Sequence, residues 1–256
     1  MVDAADLKSA AARRGGSSPP SGTTRVSKRG RRMGITRVKP DLEAASIVLV
    51  GSFNPSIFHP AWLAARELIS EEDAEKSEIG VIAEQIAAFR VQWLELQITT
   101  NRFHARTPDP SYYPSLGELV RGIFSLLEFT PAHQMGLNRH MHIPVRDHEE
   151  WHRLGDMWAP KEAWTGILSG GRSGGLPGVR SLTMEGLREG SSAQFLRVTV
   201  APSEQVEPGI QLSTNEHYEQ AKEDSVGGLM RIIEASWAEA QDFALQVADH
   251  LLKESI

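Results

Sequence analysis

The stretch His148-Glu-Glu-Trp-His152 is the one place in this chain where residue types and spacing spell out a reaction. When H-E-x-x-H lies on a helix, its two histidines stand one turn apart and can share a zinc ion. The glutamate between them can take a proton from a metal-bound water. The match runs on to Gly155, but position 158, where a metzincin-like pattern would place a third ligand, holds Trp158. His140 and His142 are the nearest substitutes, since residues two apart on a strand share a face at about 7 Å. The same residues also read as the start of a helix. Pro144 and Asp147 precede the motif, Asp147 with Glu150 makes an Asp-x-x-Glu capping box, and Glu149 and Glu150 suit the positive end of a helix. Trp151, Leu154 and Trp158 then form an apolar stripe that packing alone accounts for. The expectation is no catalytic residue and no cofactor. The alternative is zinc on His148, His152, His140 and His142, with Glu149 as the base.

Arg102, His104 and Arg106 alternate with Phe103 and Ala105. On a strand this puts two guanidinium groups and an imidazole on one face, either as a cationic strip for an anionic ligand or as the wet face of a sheet. Other glycine- and histidine-bearing stretches carry less. Gly51 follows an apolar run, but no Gly-Lys-Ser/Thr comes after it. The Gly-rich stretch 169–178 leads into a strand pattern, where a phosphate nest needs a helix. His59 reads as a packed or solvent-facing imidazole.

The elements that must position these groups come in a clear order. An apolar β-branched run at 45–51 is a buried strand. Residues 61–69 form a short helix that runs into an acidic segment, and 79–88 lead into an alternating run at 89–99. In that run Leu94, Leu96 and Ile98 share one face. A second strand follows at 102–106, then a Pro-rich break. Leu116, Leu119, Val120, Ile123, Phe124 and Leu127 mark an amphipathic helix over 115–129. In the strand 134–143, Met135, Leu137, Met141 and Ile143 face one way, and Asn138, His140 and His142 the other. Segments 179–186 and 193–201 pair as a hairpin, 209–215 is a third strand, and a long helix spans 226–253. Clean alternation requires one wet face, which points to antiparallel pairing.

Composition narrows the setting. There is no cysteine, so neither disulfides nor thiolate-held metal enter. No apolar run reaches the ~20 residues of a membrane span, and the start of the chain has no secretory signal. A cytoplasmic location is the expectation. Residues 1–40 hold ten Lys or Arg against two Asp, leaving 17 basic and 31 acidic residues in 41–256. The first 40 residues read as a disordered basic tail, with Met33-Gly-Ile-Thr an alternative start, and such a tail suits nucleic acid or an acidic partner. The acidic remainder argues against nucleic acid as the business of the folded part.

Four segments resemble those of an uncharacterised, sporadically distributed bacterial protein family of similar length. They are Phe53-Asn-Pro-Ser-Ile-Phe-His-Pro-Ala-Trp-Leu63, Leu96-Gln-Ile-Thr-Thr-Asn-Arg-Phe103, Met135-Gly-Leu-Asn-Arg139 and Ser181-Leu-Thr-Met-Glu-Gly186. The likeness spans about residues 41–220. It implies a bacterial, cytoplasmic protein and brings no assigned activity and no catalytic motif.

Taken together, these features predict an α+β fold with an antiparallel sheet of about six or seven strands and two amphipathic helices on one face. Residues 41–256 form one domain in this reading, with 41–160 and 176–256 as two similar ββα-type halves. The leading functional expectation is a non-enzymatic protein-binding or assembly module, self-associating or partnered through a sheet edge or the last helix. The alternatives are the zinc-dependent hydrolase and a sensor of an anionic small ligand.

Overall fold

Alternation along the strands builds one sheet with a covered face and, among the described residues, a bare one. The computed structural model describes residues 38–164, 166–168 and 178–253. Most of the basic tail and the Gly-rich stretch at 169–177 lie outside them. The strands are β1 (Leu42–Gly51), β2 (Glu78–Ile82), β3 (Ile86–Arg90), β4 (Glu95–Thr99), β5 (Arg102–Thr107), β6 (Ala132–Pro144), β7 (Leu182–Gly186), β8 (Phe195–Pro202) and β9 (Gly209–Glu219). They form a single antiparallel sheet in the order β2-β3-β4-β5-β1-β6-β9-β8-β7. The helices are α1 (Pro60–Ala65), α2 (Glu71–Glu75), α3 (Tyr113–Leu126), α4 (His148–Trp158) and α5 (Gly227–Lys253).

The chain passes twice through one order. A central strand (β1, then β6) is followed by short helices (α1 and α2, then α4). A meander then runs inward from a sheet edge, β2 to β5 and then β7 to β9, and ends beside its own central strand. A covering helix follows, α3 and then α5. The seam between the two passes is the β1–β6 pair, with Ser46 opposite Asn138 and Val48 opposite Gly136.

The expected α+β character and antiparallel sheet are present. The counts of six or seven strands and two helices are corrected to nine strands and five helices among the described residues. Most of the difference lies in 78–99, where a lead-in and one long run are in fact three strands. The run 89–99 reverses at Gln92-Trp93. Val91 N donates to Leu94 O at 2.9 Å, and Leu94 N donates back to Val91 O at 3.2 Å. No Gly, Pro or Asn marks this turn. It is fixed by Trp93, which is buried and stacks on Tyr112 with centroids 5.1 Å apart.

All five helices pack on the same face. α3 buries Leu116, Leu119, Val120, Ile123 and Phe124 over β1 and β5. α5 buries Leu229, Ile233, Trp237, Ala240, Ala244 and Ala248 over β6, β9 and α3. Much of its stripe is therefore used within the fold rather than held for a partner. Phe58, at the start of the α1 region, meets Phe103 at 5.7 Å. Trp151 and Trp158 of α4 join Met141, Ile143 and Leu212 in a second apolar group. Among the described residues no helix is long and apolar enough to cross a membrane.

Two ion pairs are sunk into the covered face. Arg139, its side chain 6% exposed, grips Glu43 on β1. It also donates to the Gln241 carbonyl of α5 at 2.7 Å and lies 5.2 Å over the Tyr113 ring of α3. Gln241, which the helical pattern puts on the exposed side, is thus buried. Arg188 stands 2.7 Å from buried Glu216 of β9, whose carboxylate also accepts the Tyr218 hydroxyl at 2.7 Å.

Removing one member of a buried pair leaves an uncompensated charge, at a cost of about 3–5 kcal/mol. Glu43→Leu is expected to lower stability by about that much, and adding Arg139→Met to recover most of it, read as urea midpoints of the single and double variants.

Candidate functional site

The helices leave the opposite face of the sheet uncovered among the described residues, and the candidate side chains separate across the two faces. Met141 and Ile143 of β6 point into the core, where Trp151 and Trp158 of α4 meet them. His140 and His142, one residue out of phase, therefore stand on the bare face, away from the α4 apolar stripe. The sheet divides the four candidate zinc ligands into two pairs. Among the described residues no group of three or more His, Cys, Asp or Glu side chains is gathered to hold a metal ion.

His148 and Glu149 occupy the exposed first turn of α4. His152 lies edge-on to Trp151 at 4.9 Å, and the Trp151 indole donates to the Gly209 carbonyl at 3.0 Å. Asp147 is the N-cap and accepts from Glu150 N at 2.8 Å. The capping box closes one residue early: Glu150 accepts from Arg146 N at 2.8 Å instead of the cap's own N–H. Asp147 is held below the usual carboxylate range by the Glu150 N–H first and the Arg146 side chain second. His59 has a similar duty on a smaller scale, its Nδ1 accepting from Ala61 N at the start of α1.

On β6, His142 meets the Ser203 hydroxyl at 2.8 Å. Ser203 Oγ also accepts from Gln205 N and Val206 N. With both lone pairs engaged, it is the donor to His142 Nδ1, and the contact pins a turn rather than arming a nucleophile.

The bare face itself is ordered by strand register. Arg102, His104 and Arg106 of β5 stand beside Val50, Val48 and Ser46 of β1. Gln97 of β4 faces His104 from the other side. Arg106 and Arg90 share the Glu95 carboxylate, at 2.7 and 3.0 Å. Arg102 is exposed and has no ion-pair partner among the described residues. The centre is a polar ladder in which Asn215 donates to Asn138 at 2.5 Å and Asn138 donates to Ser46 Oγ at 3.3 Å. Gly136 makes room for it, since a Cβ there would come within 2.6 Å of the Asn215 amide. Beyond it, His217 stacks on Phe195 at 4.5 Å and contacts Glu219 at 2.9 Å, while Arg197 pairs with Glu185 at 2.6 Å.

The structure thus keeps Arg102, His104 and Arg106 together and brings His140 toward them. Burial, then Arg102 and Arg106, hold the His104 imidazole below its ordinary value, with Glu95 opposing. Burial, then Arg106 and His142, do the same to His140. The sequence pattern missed Asn215, His217 and Phe195. The alternation of Asn215 and His217 was masked because the inward residues of β9 include polar Thr214 and Glu216, and Phe195 of β8 is marked only by its pairing with His217. No protein-family model and no curated protein matches this chain. What the face can do chemically is hydrogen-bond and complement charge over an extended area.

Two outcomes follow from this geometry. A histidine whose folded value is depressed leaves the unfolded chain binding more protons. Its contribution to stability is then full above the unfolded value of about 6.5 and is lost as pH falls from there through the lowered folded value. Urea midpoints are expected to drop between pH 7.5 and pH 5.5, and to drop less in His104→Gln/His140→Gln. Separately, Asp147→Ala is expected to lower the thermal midpoint by a few degrees through loss of the cap, and Glu149→Ala to lower it less, through loss of a first-turn charge alone.

Proposed function

We propose that this protein is a non-enzymatic binding module that presents the bare face of its sheet to a protein partner. The observation that carries this reading is the one-sided placement of the helices on a nine-stranded sheet. Eight interstrand gaps of about 4.8 Å and five residues of about 3.4 Å make a face of roughly 38 by 17 Å. That is on the order of 650 Å², near the ~800 Å² that each partner gives to a standard interface. The face mixes cross-strand ion pairs and an amide ladder with small apolar residues such as Val48 and Val50, as transient interfaces do. A small-ligand site would instead gather its polar groups around a concavity, whereas Arg102 and Arg106 are spread along a strand by about 14 Å. A second copy of this chain is one partner that suits such a face.

The test is site-directed photocrosslinking in cells, with the reactive residue at Gln97 or Thr183 on the bare face or at Ala238 on the outside of α5. Adducts from the bare-face positions and none from Ala238 are expected, and an adduct of twice the chain mass would identify self-association. Adducts from Ala238 alone, or none from either bare-face position, would overturn the reading.

A further inference from the structure

The bare face is not uniform in charge, and one strip of it has a repeat that a particular ligand would match. Residues 41–256 carry a net charge of −14, yet the outward residues of β5 are Arg102, His104 and Arg106. Glu95 is shared between two guanidinium groups, Arg106 and Arg90, and so offsets only one of them. Arg102 is exposed and carries no ion pair among the described residues. The β5 strip is therefore a positive line on an acidic body. The floor beside it on β1 is low, formed by Ser46, Val48 and Val50, so a ligand running along β5 meets no tall side chain there.

We propose that this strip docks an acidic peptide segment of the partner, in extended form, with Asp or Glu at every second residue. The proposal rests on the bare-face reading above. An extended chain repeats its same-side residues at about 7 Å, the spacing of Arg102, His104 and Arg106 along β5. Each carboxylate of such a segment meets one of these three donors in turn, which no single compact anion can do across about 14 Å. A polynucleotide has a comparable charge repeat. It is disfavoured here because the body's net negative charge repels a long polyanion more than it repels a segment with three carboxylates. The outward residues of β5, β1 and β6 also include no Phe, Tyr or Trp on which bases would stack. Arg102 is the decisive contact, since binding it breaks no ion pair within the described chain.

The probe is a fluorescein-labelled peptide of alternating Thr and Glu, with its Thr-Gln counterpart and an oligo-dT of equal length as comparisons. Binding to the full chain is followed by fluorescence anisotropy at low and high salt. The Glu peptide is expected to bind more tightly than the Gln peptide and to weaken with salt. Arg102→Glu is expected to weaken it about tenfold, and Arg102→Lys to retain most of it. Comparing variants cancels any contribution from the basic residues at 25–32, and an unchanged thermal midpoint for Arg102→Glu certifies its fold. Equal affinity for the Glu and Gln peptides would overturn the proposal, as would indifference to Arg102→Glu or tighter binding of oligo-dT. The crosslinks from Gln97 and Thr183 judge the broader reading separately. If they form while the Glu peptide fails, the bare face is an interface of another chemistry.

Discussion

An arginine cannot be left unpaired in a protein interior, and the position of Arg139 makes much of this architecture depend on that rule. Its guanidinium meets Glu43 across the central β1–β6 seam, the Gln241 carbonyl of α5, and the ring of Tyr113 at the start of α3. These are the two central strands and the two long helices, one from each pass of the chain. Tyr113 is drawn in further by its carbonyl, which accepts the Trp237 indole at 2.6 Å, while Gly117 leaves the space that Trp237 fills. Burial, with Glu43 alongside, raises the Tyr113 hydroxyl above its ordinary range. The registry between sheet and helices is thus set by a few directional contacts inside an otherwise apolar layer, which hydrophobic burial alone leaves free to slide.

With the helices committed to one face, the strand pleat assigns every other residue to the opposite one. His104, His140 and His142 share a surface because their neighbours Phe103, Met141 and Ile143 are core. The same parity parts His140 and His142 from the α4 stripe. The His-Glu-Glu-Trp-His sequence is left as the capped first turn of a helix that docks through its tryptophans. In this sheet, charge on the bare face is mostly balanced between adjacent strands, as in Arg106 with Glu95 and Arg197 with Glu185. The departure from balance at Arg102 stands out for that reason.

Much of the fold was legible from short-range pattern. The strands at 45–51, 102–106 and 134–143 and the helices near 115–129, 148–158 and 226–253 follow from periodicity and caps. Such pattern reports the face of each residue directly, because a strand or helix repeats whatever surrounds it. Where the pattern failed, a long-range partner had replaced the local signal. The Gln92-Trp93 reversal relies on Tyr112 rather than on turn residues. β9 carries Glu216 on its inward face because Arg188 and Tyr218 wait there. Gln241 sits on a buried helix face beside the arginine that its carbonyl accepts from.

By itself, then, the sequence determined which residues alternate, which helices are amphipathic and that the folded part is acidic, since these are properties of neighbours along the chain. Only the tertiary structure decided the strand order and, among the described residues, the placement of the three shorter helices on the same side as the two long ones. It also decided the division of the histidines between two faces and the grouping of His140 with Arg102, His104 and Arg106. Those outcomes depend on pairings between residues tens of positions apart, such as Ser46 with Asn138 and Arg139 with Glu43. Their free energy comes from burial and charge compensation that exist only once the distant segments have met.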